Sequence, residues 1–312
     1  MGKLDVQTLQ AETLKASAGG HSVEIGVLPR MGANLTSLKV DGQEYIYFSK
    51  EKYVDEDCIT GCFMMFPTPC RLTDATYTFG GKKVKQTKHD KDVFIHGLIR
   101  DEVFAVSRDK DSLTFSIEID KKHPVYEGYP FPCRFSLKFS PLQRGVQIQF
   151  KYENTGTEAS PFGFGLHAFW QIPNKREDVF VKVPCDQILE LVNLIPTGNT
   201  SPVKGTKLDF REFTSLGGVD IDNAFWGRDP KGEHAIEYHD LGKKVTLESS
   251  EIFEHMIAYA PAGAPFVCME NLTCCPDAPN VFARGKEKVS GLKVVSPGQT
   301  LEGWVRYIVS DL

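Results

Sequence analysis

The chain has 312 residues, of which 41% are hydrophobic and 25% charged, and its formal net charge is -5. This composition is typical of a folded globular protein, and the length allows a large hydrophobic core. The acidic balance disfavours nucleic-acid binding, which needs a basic surface, and no apolar run is long enough to predict a membrane span. We therefore expect neither nucleic acid nor membrane as a partner, and the sequence predicts no oligomeric state.

Eight cysteines are present, without the CxxC or His/Cys spacing that is typical of zinc sites. The first residues show no apolar segment of the signal-peptide kind. We therefore expect reduced thiols, a cytoplasmic location and no metal. No P-loop, dinucleotide fingerprint or GxSxG elbow occurs, so the sequence predicts no nucleotide cofactor and no serine nucleophile of that type.

Short stretches with a period of two recur along the chain and predict strands with one buried face. Residues 113–120 alternate without a break, and the pattern returns at 135–139 and 146–152. Turn residues separate such strands at 41–42, 80–81, 240–242 and 297–298. No long helical period, fixed repeat or linker is visible. The sequence therefore predicts a single all-β domain over 1–312, a large antiparallel β-sandwich of many strands.

Two early segments contain candidate site residues. The proline-constrained loop 66–72 presents Arg71, which could bind hydroxyl groups or simply form an ion pair. His96 follows the apolar residues 93–95 and precedes Gly97, so it could face a cleft at a strand end. The alternative for His96 is a structural hydrogen bond to the backbone, which this segment by itself favours.

Three later segments add to these. His167 lies in the aromatic and glycine-rich run 162–170, where a histidine is either hydrogen-bonded and structural or chemically active. Asp222 lies among apolar residues and could bind hydroxyls or pair with a cation. Glu270 follows the apolar run 266–269, and a carboxyl at the end of such a strand tends to have a raised pKa, which suits a general base. The commoner alternative for Glu270 is a solvated strand end.

Together, and in this order over nearly the whole chain, these segments resemble the aldose 1-epimerase (galactose mutarotase) family. No single motif is specific, and the order and spacing carry the resemblance. The matching segments are 27–35, 69–71, 96–97, 166–170, 221–225, 269–273 and 296–299.

The resemblance implies the family's large β-sandwich and an isomerase that interconverts the α and β anomers of a free hexose without a cofactor. Glu270 would be the general base and His167 the general acid, and His96 would help to bind and polarise the ring oxygen. The residues implied in sugar binding are Arg71 and Asp222, on hydroxyl groups, and Trp170, with its neighbour Phe169, stacked on the apolar face of the sugar.

One departure from the common family pattern bears on the substrate. Arg100 follows His96 by four residues, a form similar to that of divergent members, some of which act on hexose 6-phosphates. On an extended strand Arg100 would lie about 13 Å beyond His96, too far to reach the reacting carbon. The long arginine side chain would still reach the far end of a ligand, and the alternative is an ion pair with Asp101, Glu102 or another acid. Because one arginine is thin support for a phosphate site in a chain of net charge -5, we expect a neutral aldose. The alternatives are a hexose-6-phosphate 1-epimerase with Arg100 on the phosphate, and a carbohydrate-binding protein without turnover, against which the acid–base pair of His167 and Glu270 argues.

Overall fold

The structure, a computed structural model, describes residues 9–56, 58–86, 94–229 and 231–312. Most of the described chain is extended. Its strands, β1 to β26 in chain order, are Glu12–Ala18, His21–Leu28, Asn34–Val40, Gln43–Glu44, Cys62–Met65, Arg71–Leu72, Thr76–Phe79, Lys82–Lys85, Phe94–Ile95, Ala105–Asp109, Ser112–Ile119, Cys133–Leu142, Gly145–Asn154, Ser160–Phe162, Gly165–Gln171, Val179–Lys182, Cys185–Val192, Ile195–Pro202, Thr214–Ser215, Ile221–Arg228, Ala235–Tyr238, Lys243–Ser249, His255–Ala260, Phe266–Leu272, Lys293–Val295 and Thr300–Asp311.

Helices are few and short. They are α1 Lys50–Glu56, α2 Ala278–Ala283 and α3 Glu287–Ser290, with 3-10 turns at Thr73–Ala75, Pro124–Glu127 and Arg176–Asp178. Among the described residues, no helix combines the length and the apolar character that a membrane crossing requires.

Two large sheets contain most of the strands, and within the described ranges every strand pairing is antiparallel. The first has eleven strands in the order β1-β2-β3-β5-β15-β24-β23-β20-β17-β18, with β4 beside β3. The second has nine, in the order β10-β11-β12-β13-β26-β22-β21-β16-β19. The predicted antiparallel all-β architecture is thus confirmed. The hairpins expected at 41–42 and 240–242 are present as β3–β4 and β21–β22.

The inner faces of the two sheets pack on each other and form the main core. Alternation along β12 and β13 turns their large apolar residues inward, and the same period operates in the eleven-stranded sheet. Trp170 of β15 meets Tyr307 of β26 edge to face, with ring centroids 4.8 Å apart, so the two sheets are in direct contact there.

A second apolar cluster lies on the outer face of the eleven-stranded sheet. It joins alternate residues of β5, β15, β24, β23 and β20 to the segment that carries α2 and α3. Because side chains alternate along a strand, each strand supplies one set of residues to the main core and the other set to this outer face. The outer face is therefore partly covered by chain and partly open, and the opening forms a cavity.

Candidate active site

One row of side chains crosses the outer face of the eleven-stranded sheet. The strand register lines up Phe63 of β5, His167 of β15, Glu270 of β24, Ile257 of β23 and Ala224 of β20. All five line a cavity of about 370 Å³. Its volume falls within the range of small-molecule sites, and its wall combines aliphatic side chains with converging polar groups.

His167 and Glu270 contact each other in the floor of this cavity. Nε2 of His167 lies 3.2 Å from Oε1 of Glu270, and their side chains are only 7% and 3% exposed. Nδ1 of His167 and Oε2 of Glu270 have no hydrogen-bond partner among the described residues. Glu270 lies inside its strand and is fully buried, so the solvated strand end considered from the sequence does not occur.

Burial shifts the pKa values of Glu270 and His167 in the directions that favour their neutral forms. It raises the pKa of Glu270 well above its ordinary value, with a further upward push from the charge of Asp222. It lowers the pKa of His167 to about 3, with help from the nearby Arg100. Burial thus favours the neutral forms of both groups, and at a separation of 3.2 Å they titrate as one unit.

His96 reaches the same place from a loop. Its ring packs edge to face on His167 at a centroid distance of 4.8 Å, and its Nδ1 lies 3.1 Å from Sδ of Met65. The backbone has positive φ at both His96 (68°) and Gly97 (75°). A Cβ on Gly97 would come within 2.3 Å of the carbonyl oxygen of Phe66, so glycine is required there. Val93, which the sequence included in this strand, lies outside the described residues.

Arg100 also lines the cavity, and this corrects the expectation from the sequence. Strand β9 ends at Ile95, and residues 96–101 follow an irregular path in place of an extended strand. The left-handed turn at His96 and Gly97 redirects the chain, so Arg100 comes close enough for its charge to lower the pKa of His167. The distance of about 13 Å inferred from a straight strand does not apply.

Arg71 and Asp222 lie on the wall of the cavity. Arg71 begins β6, which pairs with β9 just before His96. Asp222 opens toward solvent, yet partial desolvation raises its pKa, and the charge of Arg71 offsets part of that rise. Tyr259, which the sequence did not single out, stands directly opposite Asp222 on β23. Together with Arg100, these residues present two guanidinium groups, a carboxylate and a phenol to a ligand.

Trp170 does not line the cavity, contrary to the expectation from the sequence. It follows Phe169 on β15, so its side chain points to the other face of the sheet, where it is fully buried against Tyr307. Phe169 lies two residues after His167 and shares its face. Its ring stacks on that of His167 with centroids 4.7 Å apart and faces the cavity. The alternation of side chains along a strand would by itself have predicted that Phe169 and Trp170 lie on opposite faces of the sheet.

The β17–β18 hairpin contributes to the lining of the cavity, another feature that the sequence did not indicate. Leu191 and Leu194 line the cavity, and the turn residues Asn193 and Leu194 have positive φ values of 52° and 62°. A leucine in this region is uncommon and costs about 1 kcal/mol or more. With this backbone conformation, the side chain of Leu194 lines the same cavity as the polar groups of His167 and Glu270.

His167, Glu270 and the nearby Cys268 form a cluster of three side chains of the types that bind metal ions. The donor atoms of His167, Cys268 and Glu270 all lie within 4.8 Å of one another, and all three residues are buried. The sequence predicted no metal because these residues lack metal-ligand spacing. The strand register, which brings β15 beside β24, is what joins them.

Comparison with known proteins gives a consistent result. The family model described as aldose 1-epimerase matches residues 17–307. The uncharacterized protein YihR of Escherichia coli K12 is 21% identical over 273 residues, which cover 86% of each chain. Galactose mutarotase of Sus scrofa is 26% identical over 155 residues, 47% of this chain and 44% of that protein.

Solved structures show the same fold. A galactose mutarotase-like protein from Clostridium acetobutylicum superposes with a TM-score of 0.83 at 20% identity, covering 97% of this chain and 99% of that one. Galactose 1-epimerase from Lactobacillus acidophilus gives a TM-score of 0.74 at 15% identity, covering 97% and 99%.

The antiparallel β-sandwich and the match to the aldose 1-epimerase model together indicate a mutarotase-like sugar epimerase. The chain belongs to the aldose 1-epimerase family, because the family model spans nearly its whole length.

Proposed function

We propose that this protein interconverts the α and β anomers of a free hexose by acid–base opening and closing of the ring, without a cofactor. The observation that carries the proposal is the buried contact of 3.2 Å between Nε2 of His167 and Oε1 of Glu270. A protein that only binds sugars has no need of such a pair, because isolated buried carboxyl and imidazole groups are costly.

The pair exchanges one proton with the sugar in each direction. Glu270 as a carboxylate accepts the proton of the C1 hydroxyl, the imidazolium of His167 donates to the ring oxygen, and the bond from C1 to that oxygen breaks. The open-chain aldehyde then faces a neutral pair, the state that burial favours. After rotation about C1–C2, the returning hydroxyl gives its proton to His167 and the aldehyde oxygen receives one from Glu270.

The remaining site residues orient the sugar. His96 packs on His167 and is suited to bind the ring oxygen, as the resemblance implied. Arg71 and Asp222 have the charges and positions to bind hydroxyl groups through charge-assisted hydrogen bonds. Of the two residues expected to stack on the sugar, Phe169 is the one that lines the cavity, and it offers an apolar surface beside His167.

Arg100 favours a second candidate, a hexose-6-phosphate 1-epimerase. It lies on the cavity wall, where a phosphate on the sugar would meet a guanidinium, a bidentate partner for such oxygens. The neutral aldose remains the proposed substrate because Arg100 is thin support for a phosphate site in a chain of net charge -5. The single-domain organisation over 1–312 and the cytoplasmic location stay predictions.

The direct test follows anomer exchange by NMR or polarimetry on freshly dissolved glucose, galactose and glucose 6-phosphate. We expect exchange above the spontaneous rate, fastest on a neutral sugar. Binding of these sugars with no acceleration of exchange would contradict the proposal and leave a carbohydrate-binding protein.

A further inference from the structure

The side chain of Cys268 adds a third donor to the acid–base pair. It precedes Glu270 by two residues on β24, so both point to the outer face of the sheet. His167 faces Glu270 on the neighbouring strand β15, as the pairs on either side of it show. One imidazole nitrogen, one thiol sulfur and one carboxylate oxygen thus lie within 4.8 Å of one another.

These three donors fit a zinc-like ion. Zn²⁺ binds nitrogen, sulfur and oxygen at about 2.0–2.3 Å, so the ligand atoms of a tetrahedral site lie about 3.3–3.8 Å apart. Nε2 of His167 and Oε1 of Glu270 are already 3.2 Å apart, and closing a separation of up to 4.8 Å to the sulfur takes about 1.0–1.5 Å. A rotamer adjustment at Cys268 covers such a distance.

The burial and the charges of these donors also favour a bound divalent cation. Oε2 of Glu270 is buried and has no hydrogen-bond partner among the described residues, so an acceptor atom is available. A thiolate and a carboxylate together carry two negative charges, which a divalent cation neutralises. Such a neutral site avoids the cost of leaving an uncompensated charge in the interior. The cavity reaches both His167 and Glu270 and supplies the path of entry.

We propose that His167, Cys268 and Glu270 form a binding site for a thiophilic divalent cation, with Zn²⁺ as the representative ion, and that the bound ion inhibits anomer exchange. Binding forms bonds from the metal to sulfur, nitrogen and oxygen. The thiol proton of Cys268 and the carboxyl proton of Glu270 leave to solvent, with no change of oxidation state. The fourth position stays open toward the cavity. The inhibition, unlike the binding, rests on the proposed function.

Inhibition follows from which atoms the ion occupies. A coordinated imidazole nitrogen cannot carry the proton that the ring oxygen needs, and a coordinated carboxylate is a weaker base. The cation therefore removes acid and base together. Cys268 is fully buried and does not line the cavity, so its loss leaves the sugar-binding surface intact.

The test begins with the wild-type chain, freed of metal with a chelator. Zn²⁺ is titrated by calorimetry, and Co²⁺ is added separately because a thiolate–cobalt bond gives a charge-transfer absorption in the near ultraviolet. We expect one ion per chain, the thiolate–cobalt band, and loss of anomer exchange that a chelator restores. Absence of Zn²⁺ binding, or an increase in exchange when Zn²⁺ is added, would overturn the proposal.

Variants then assign the ligands. Cys268→Ser and Cys268→Ala should weaken Zn²⁺ binding by about 10²-fold or more, abolish the cobalt band and keep anomer exchange. Cys58→Ser is the matched control, because Cys58 is an exposed cysteine on the wall of the same cavity. Zn²⁺ binding that is lost in Cys58→Ser and kept in both Cys268 variants would overturn the assignment. Binding that depends on Cys268 supports the site even if no sugar is turned over.

Discussion

Nε2 of His167 and Oε1 of Glu270 lie 3.2 Å apart on neighbouring antiparallel strands, with both side chains almost fully buried. The surroundings favour a neutral imidazole and a protonated carboxyl, so the pair holds one transferable proton. Ring opening and closing of an aldose needs a base and an acid that exchange roles, and one shared proton at this distance satisfies that requirement.

Glu270→Gln tests the base. The amide keeps the size of the side chain and removes the proton acceptor, so we expect anomer exchange to fall by about 10²-fold or more while sugar binding is retained. Exchange is measured by NMR and binding by calorimetry. A near-normal exchange rate would show that another group is the base.

The companion variant His167→Asn should lose exchange to a similar extent through the acid. Its thermal unfolding serves as the control for folding, because the side chain is buried between aromatic rings. A correctly folded His167→Asn protein with normal exchange would contradict the assignment of the acid.

The pH dependence of exchange should be unusually broad. The pKa of His167 is lowered to about 3, so the pair gains a second proton, and loses its base, only in strong acid. The pKa of Glu270 is raised, so the pair loses its only proton, and its acid, only at a pH well above the usual range for a carboxyl. Enzyme rates are measured across this range after subtraction of the spontaneous rate.

A fall in the exchange rate below pH about 6.5, the ordinary pKa of histidine, would contradict the predicted broad pH dependence. Because the ring of His96 packs on that of His167, the profile is repeated in His96→Asn. A limb near that pH that persists in the variant would mean that His167 titrates normally.

Phe169 and Trp170 are neighbours in sequence with different expected roles. Phe169→Leu removes a ring stacked on His167, so kcat/KM should fall by about tenfold, with a loss of stability of about 1 kcal/mol because the ring is also buried. Trp170→Phe shrinks a core side chain and should lower the free energy of unfolding by about 1–3 kcal/mol without changing KM. Urea unfolding and exchange kinetics are measured for both. The reverse pattern would place Trp170 at the sugar.

Arg100→Ala decides between the substrate classes. If the substrate is a neutral aldose, exchange on glucose or galactose should change by less than about tenfold, because the guanidinium then affects the reaction through its charge on His167. If a phosphate binds at Arg100, the ratio of kcat/KM on glucose 6-phosphate to that on glucose should fall by about 10²-fold in the variant. Loss of a charge-assisted bidentate contact has an effect of this size. A clear wild-type preference for the phosphate that disappears in Arg100→Ala would replace the neutral sugar.

Local sequence patterns were sufficient for the architecture. Alternation with a period of two in 113–120 and 146–152 predicted strands that the structure shows as β11 and β13. The turn at 41–42 predicted the hairpin of β3 and β4. These predictions succeed because the side chains of a strand alternate between core and solvent. Consecutive residues therefore alternate between apolar and polar, which can be seen in the sequence.

The sequence by itself thus determined the all-β class, the short strands and the residue types at the site, through the order of His96, His167 and Glu270. Only the tertiary structure decided which of them touch. The register between β15 and β24 brought His167 to Glu270 and Cys268, and the positive φ of Gly97 helped to turn Arg100 toward the cavity. Burial, which sets the pKa values of the pair, is likewise a property of the packed sheets, because desolvation depends on neighbours from distant parts of the chain.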